Sequence, residues 1–262
     1  MNTLKIASVL LTAAIMTGCA STSSEPTGSY ARQVATAGGL RLEDQKVPKA
    51  QYDAALSSVT DAGLNTSVLA SSHGFNMGGG AALGVGLAAW LFSPAAPEQK
   101  DAVIAFAPIS SSDSKTAGKD FANIVAKSYQ AAFKEMGVKA SDIKYDDFIG
   151  ESFYVTGRGP GCIEDAYPNR DCIFTASITK PSVRKAPKFL GSSTDAYYFK
   201  AQDKVFVNSS IHDEAFDKAK FLLNVSKHLP DWAYVYAAPV PKVSPPMIFH
   251  KGEVHYFVVP DA

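Results

Sequence analysis

Three cysteines in 262 residues are too few for a disulfide-built scaffold. None stands in a C-x-x-C pair, which removes the local signal of a thiolate metal site or a thioredoxin-type redox centre. Charge of one sign is not in surplus: 25 basic residues face 25 acidic ones, so nothing favours a grip on nucleic acid. Nor is the chain acidic or aromatic-poor enough to stay unfolded. No G-x-S-x-G nucleophile turn and no phosphate loop ending in G-K-[ST] occurs. No Ser/His/Asp or Cys/His set assembles at a known local spacing. These absences weigh against an enzyme and imply no cofactor.

Charge is missing altogether from residues 62–97. Inside that stretch Gly80, Gly84 and Ala88 would share one helical stripe, a small-residue spacing that lets two backbones approach closely. Three consecutive glycines at 78–80 oppose a helix, each by about 0.8–1.0 kcal/mol relative to alanine. A buried central helix, a membrane-associated segment and an irregular apolar loop all remain open for 74–92.

What is present begins with residues 1–19. Lys5 supplies a basic start, 6–16 is an apolar run, and Met16-Thr17-Gly18 leads into Cys19. An apolar run of roughly 7–15 residues behind a positive charge is a secretory signal, too short to span a bilayer. Small residues directly before a cysteine resemble the lipobox of bacterial lipoproteins, with Met16 where leucine is commoner. The resemblance implies cleavage between Gly18 and Cys19. It also implies a diacylglyceryl group on the Cys19 thiol and a further acyl chain, such as palmitate, on the new amino terminus. Each buried CH₂ contributes about 0.8 kcal/mol and one chain holds only weakly, so two or three hold firmly. Ala20 rather than aspartate follows, which among enterobacterial lipoproteins implies the outer membrane, facing the periplasm. The expected organisation is a signal peptide at 1–18, a flexible Ser-rich tether at 19–30 and a single periplasmic domain at 31–262.

Along the domain, Gly38-Gly39 predicts a turn. Pro48 and Gly63 bracket an expected helix over 48–62. The continuous apolar run 102–107 predicts a buried strand, and 110–114 a polar loop. Phe121, Ile124, Val125, Tyr129, Ala132, Phe133 and Met136 form one stripe of a helix over 119–136, stopped by Gly137. From 152 the pattern turns to strands, at 153–156, 172–179, 196–199 and 205–208, the last two expected to pair across 200–204. A helix over 211–229 would be capped by Ser210 and stopped by Pro230. Together with 205–208 and a strand at 233–236 it would allow a βαβ unit. Residues 239–246 read as a stiff proline-rich connector, and 247–259 as a hairpin around Lys251-Gly252. The switch from helix-rich 48–136 to strand-rich 150–259 predicts an α+β domain with a mixed or mostly antiparallel sheet and packed helices.

Two places draw attention. Cys162 and Cys172 lie close together in a chain expected to be exported, which predicts a disulfide. The bridge would pin a long connection carrying Arg158, Glu164, Asp165, Tyr167 and Arg170, mixed charges with an aromatic anchor suited to a partner contact. At the C-terminus a two-residue turn would place His250, Glu253, Ile248 and His255 on one face of the hairpin. Two imidazoles and a carboxylate resemble part of a zinc site. Ordinary solvation of that face is the expected state, with no metal. The leading functional expectation is a non-catalytic lipoprotein that binds an envelope protein. An immunity protein against a periplasmic toxin, a lipid- or cell-wall-directed hydrolase and a self-associating structural lipoprotein are the alternatives.

Overall fold

The structure, a computed structural model, describes residues 27–47, 49, 52, 100–109, 113–147, 150–162, 172–191, 193–201, 207–210, 216–239 and 245–261. The signal stretch, Cys19, the uncharged 62–97 segment and the 163–171 loop lie outside them. So does the expected 48–62 helix apart from Lys49 and Tyr52, both helical.

The architecture is α+β and mostly antiparallel. Helix α1 (Tyr30–Ala37) opens the domain, capped by Ser29, whose Oγ accepts from the Arg32 amide and donates to Asp44. The Gly38-Gly39 turn ends it as expected. Strand β1 (Gln45–Val47) follows. Strand β2 (Ala102–Pro108) is buried over its first five residues because both of its faces are covered, which is why it reads as a continuous apolar run.

Helix α2 (Ser114–Glu135) starts earlier than the expected 119. Asp113 caps it, accepting from the amides of Lys115 and Thr116 at 2.8 and 3.1 Å. Gly118 therefore lies inside the helix rather than before it. Gly137, at φ 72°, stops α2 as expected. Two short strands, β3 (Lys139–Ala140) and β4 (Lys144–Asp146), precede β5 (Ser152–Arg158) and β6 (Cys172–Ser177). Then come β7 (Ser182–Lys185), a 3₁₀ turn (Lys188–Leu190), β8 (Asp195–Phe199) and β9 (Val207–Ser210). Helix α3 (Lys218–His228), β10 (Ala233–Ala237), β11 (Met247–His250), β12 (Glu253–Tyr256) and β13 (Val258–Pro260) complete the chain.

One sheet has the order β12-β11-β10-β2-β8-β7. A second has β3-β5-β6-β9, with β4 continuing along the same edge of β5 as β3. The parallel pair β1–β13 stands apart. Helices α2 and α3 lie between the two large sheets. Val103, Phe199, Val235 and Phe249 of the first sheet and Val155, Phe174 and Ala176 of the second share one core with them. Phe221 of α3 stands 4.1 Å from the Phe174 ring and 4.8 Å from Phe133, centroid to centroid. The opposite face of the six-stranded sheet, with Ile104, Tyr198, Tyr234 and Ile248, lies under α1. No helix among the described residues is long and apolar enough to cross a membrane.

Three expectations are corrected. The strand at 196–199 does not pair with 205–208: β8 joins β2 and β7, whereas β9 joins β6 in the other sheet. The βαβ unit fails for the same reason, since β9 and β10 belong to different sheets. Ser210 does not cap a helix. It pairs with Ile173 within β9, and α3 takes Asp217 as its cap, accepting from the Lys220 amide at 2.9 Å.

Candidate functional site

The disulfide is formed. Cys172 opens β6 opposite Gly157 of β5, and Cys162 closes a tight turn with Gly159 through paired backbone hydrogen bonds of 2.8 and 3.2 Å. Their Cα atoms are 5.2 Å apart, and both side chains are buried in the main core. Gly161, at φ 77°, packs against the Phe216 backbone just before α3. The chain therefore leaves β5 and returns to β6 through a base held by a covalent link and by core packing. Glu164, Asp165, Tyr167 and Arg170 fall in the 163–171 loop, outside the described residues. Arg158 is placed: it ends β5, exposed, on the sheet face turned away from the helices.

That outer face carries a groove of about 510 Å³. Strand alternation builds it. Phe153, Val155 and Gly157 turn toward α2, where Gly157 faces the Phe133 ring so closely that no Cβ fits. Tyr154, Thr156 and Arg158 turn outward and line the groove. Opposite them stand Lys144 against Tyr154, Ile173 against Thr156 and Lys139 against Arg158. Ser141 bridges the break between β3 and β4. Its amide donates to the Thr156 carbonyl at 2.8 Å, and its Oγ accepts from the Thr156 amide at 3.1 Å. Ser141 and Ala140 close the floor.

The lining holds three cations and, among the described residues, no carboxylate. Lys144 Nζ stands 5.9 Å from the Tyr154 ring centroid, within reach of a cation–π contact. Lys139 and Arg158 are direct cross-strand neighbours, an arrangement that costs sheet stability when both carry the same charge. The groove adjoins the pinned loop at both strands: Arg158 precedes its first turn and Ile173 follows Cys172. Only Arg158 was singled out by the sequence. Lys139 and Lys144 were missed because their proximity to it exists only through the β3–β5 and β4–β5 register.

The C-terminal hairpin has the expected register, His250 opposite Glu253 and Ile248 opposite His255. Its turn is the two-residue type with both central residues at positive φ, 52° at Lys251 and 84° at Gly252. Lys251 tolerates this conformation while its Nζ donates to the Leu229 carbonyl at 3.2 Å and pairs with Asp231 at 3.0 Å. The expected solvated face is corrected, because α1 covers it. Ile248 is fully buried, and the His255 ring stands 4.7 Å from that of Tyr30. The His255 Nε2 is buried without a hydrogen-bond partner, 3.9 Å from the Glu253 carboxylate. His250 stacks on Tyr234 at 4.4 Å and its Nε2 donates to the Asp231 carbonyl at 2.8 Å. Tyr30 donates to the Tyr234 hydroxyl at 3.2 Å. Burial holds the His255 imidazole below its ordinary pKa, although Glu253 pulls the other way. Among the described residues no three His, Cys, Asp or Glu side chains converge as a metal site would require. This face is a packing surface.

The chain matches no protein-family model, no curated protein and no solved structure.

Proposed function

We propose that this chain is a lipid-anchored lipoprotein of the bacterial outer membrane, facing the periplasm, whose domain binds another envelope protein. The binding surface is the outer face of the five-stranded sheet. One observation carries this reading: a groove with three cations and, among the described residues, no lining carboxylate stands next to the two cysteines of a buried disulfide. Core packing fixes the groove's rear, so its outward side chains are presented on a rigid sheet rather than on a mobile loop. In sequence the loop between the bridged cysteines carries Tyr167 and mixed charges, the residue types that anchor interfaces. The lipobox supports the location. Lipid at Cys19 and the Ser-rich tether leave the domain free to reach a partner at the membrane.

In-cell photo-crosslinking tests the binding surface. A crosslinking residue at Thr156 and another at Tyr167 should each give an adduct with the same protein, and the same probe at Arg41, on the far side of the domain, should not. Replacing the 163–171 loop with Gly-Ser residues should remove the Thr156 adduct. Absence of an adduct, or equal adducts from all three positions, ends the reading. Membrane fractionation of Cys19→Ser tests the anchor. Release into the soluble periplasmic fraction is expected, and retention in the outer membrane refutes it.

A further inference from the structure

Helix α1 lies as a strap across the face of the six-stranded sheet that carries Tyr234 and Ile248. Apolar packing holds its middle, where Ala31, Val34 and Ala35 are fully buried. Polar links fasten its start: the Ser29 amide donates to Asp44 at 2.8 Å, and Arg32 pairs with Glu43 at 2.6 Å. The remaining hold is the Tyr30 ring, set edge-on against His255 at 4.7 Å with its hydroxyl on that of Tyr234.

His255 is the unsatisfied member of this contact. Its Nε2 is buried without a hydrogen-bond partner, and the Glu253 carboxylate, at 3.9 Å, stands outside hydrogen-bond reach. A neutral imidazole can leave one nitrogen unanswered. An imidazolium carries a proton on both nitrogens and a charge that burial penalises, so it needs an acceptor. Glu253 is exposed at the rim, and the ring reaches that carboxylate only by shifting from its place against Tyr30. The titratable groups facing His255 are Glu253 on its own strand, His250 on β11, Tyr234 and Tyr236 on β10, and Tyr30 on α1. Among them Glu253 favours a charged ring and His250 opposes it.

We propose that His255 is a proton-operated latch on α1. In mild acid the ring takes a proton from solvent, moves toward Glu253 and gives up Tyr30, and the strap lifts from the sheet. The core between the two large sheets stays closed, because α1 packs on one face of the six-stranded sheet and α2 and α3 pack on the other. The sign follows from burial. The docked strap holds the ring below the ordinary histidine value, and the lifted strap returns it to about 6.5. Docking is therefore complete above about pH 6.5. Below it the lifted form gains by up to about tenfold per pH unit, until the docked ring itself titrates. The latch is independent of the partner-binding reading, since the groove lies on the other sheet.

Hydrogen exchange read by mass spectrometry on the full-length protein, at pH 7.5 and 5.5 and corrected for intrinsic amide rates, tests it. Opening of peptides covering 30–37 should rise about three- to tenfold at the lower pH, while peptides from α2 stay unchanged. His255→Asn removes the titration, and His255→Phe removes it while keeping a ring against Tyr30. Each should hold α1 equally closed at both pH values, and where one variant fails to fold the other decides. A rise under about threefold overturns the proposal, as does a rise of the same size in a folded variant. An equal rise in α2 also overturns it, because the whole domain would then be opening. So does an α1 already unprotected at pH 7.5.

Discussion

Gly118 is where helix propensity and tertiary packing give opposite signs, and the structure decides between them. The residue is the fifth of α2 and is buried. By propensity alone Gly118→Ala stabilises an internal helical position by about 1 kcal/mol. A Cβ built at Gly118, however, falls on the carbonyl oxygen of Thr179, and the Thr179 carbonyl carbon lies 3.1 Å away. The obstacle is backbone and cannot rotate aside. The Ile178 amide, next to it, donates to the Glu151 carbonyl at 2.8 Å and holds the segment in place. Pro181 Cδ closes the far side at 3.7 Å. Helix and segment must then separate, an overpacking cost of about 3 kcal/mol at the upper end of the usual range. The net expectation is a destabilisation of about 2 kcal/mol, or a fall in Tm of about 4–8 °C for a domain of this size. Urea titration followed by circular dichroism, with a thermal scan beside it, measures both. A variant as stable as the parent, or more so, would refute the close approach and return the position to simple propensity.

Three further outcomes follow from the core and the hairpin. The double replacement Cys162→Ser, Cys172→Ser should lower stability by about 3 kcal/mol, the chain-entropy value for so short a loop, and an unchanged urea midpoint would contradict it. Phe221→Ala should cost about 3–5 kcal/mol, because the ring joins Phe174 and Phe133 at the centre of the three-layer core, and a loss under about 1 kcal/mol would show that the cluster is not what holds the second sheet. His255 protonates less readily folded than unfolded because of burial, with His250 adding to the effect and Glu253 opposing it. Acid therefore favours the unfolded chain: stability is complete above about pH 6.5 and declines as the pH falls through the folded value. His255→Asn should flatten that decline in urea midpoints taken between neutral and mildly acidic pH, and an identical slope in both proteins would exclude His255 as its source.

Local chemistry was legible in the sequence wherever one segment settles its own fate. The strand at 102–107, the Gly137 stop, the disulfide and the hairpin register all depend on neighbours within a few residues. Lys251-Gly252 was a poor turn by preference, yet the register held, because the apolar alternation on either side admits no other pairing that buries Phe249 and Val254 together. Gly118 shows the opposite case. The helix expected from 119 starts at 114 and takes Gly118 inside it, and the reason for glycine there lies across the chain at Thr179.

Sheet membership was not legible, and the groove was lost with it. Residues 196–199 and 205–208 are close in sequence, and nothing local says that one goes to each sheet. The decision rests on burial. Three of the four residues 196–199 are almost wholly enclosed, and Tyr197 nearly so, which a central position between β2 and β7 provides and a two-stranded hairpin cannot. Once β9 is committed to β6, the second sheet has an inner face of Val155, Phe174 and Ala176 and an outer face free to carry charge. Lys139, Lys144 and Arg158 then stand on one surface. Lys139 and Lys144 looked like ordinary solvated charges in the linear sequence, and only Arg158 was singled out there. Their shared surface exists only through the β3–β5 and β4–β5 register.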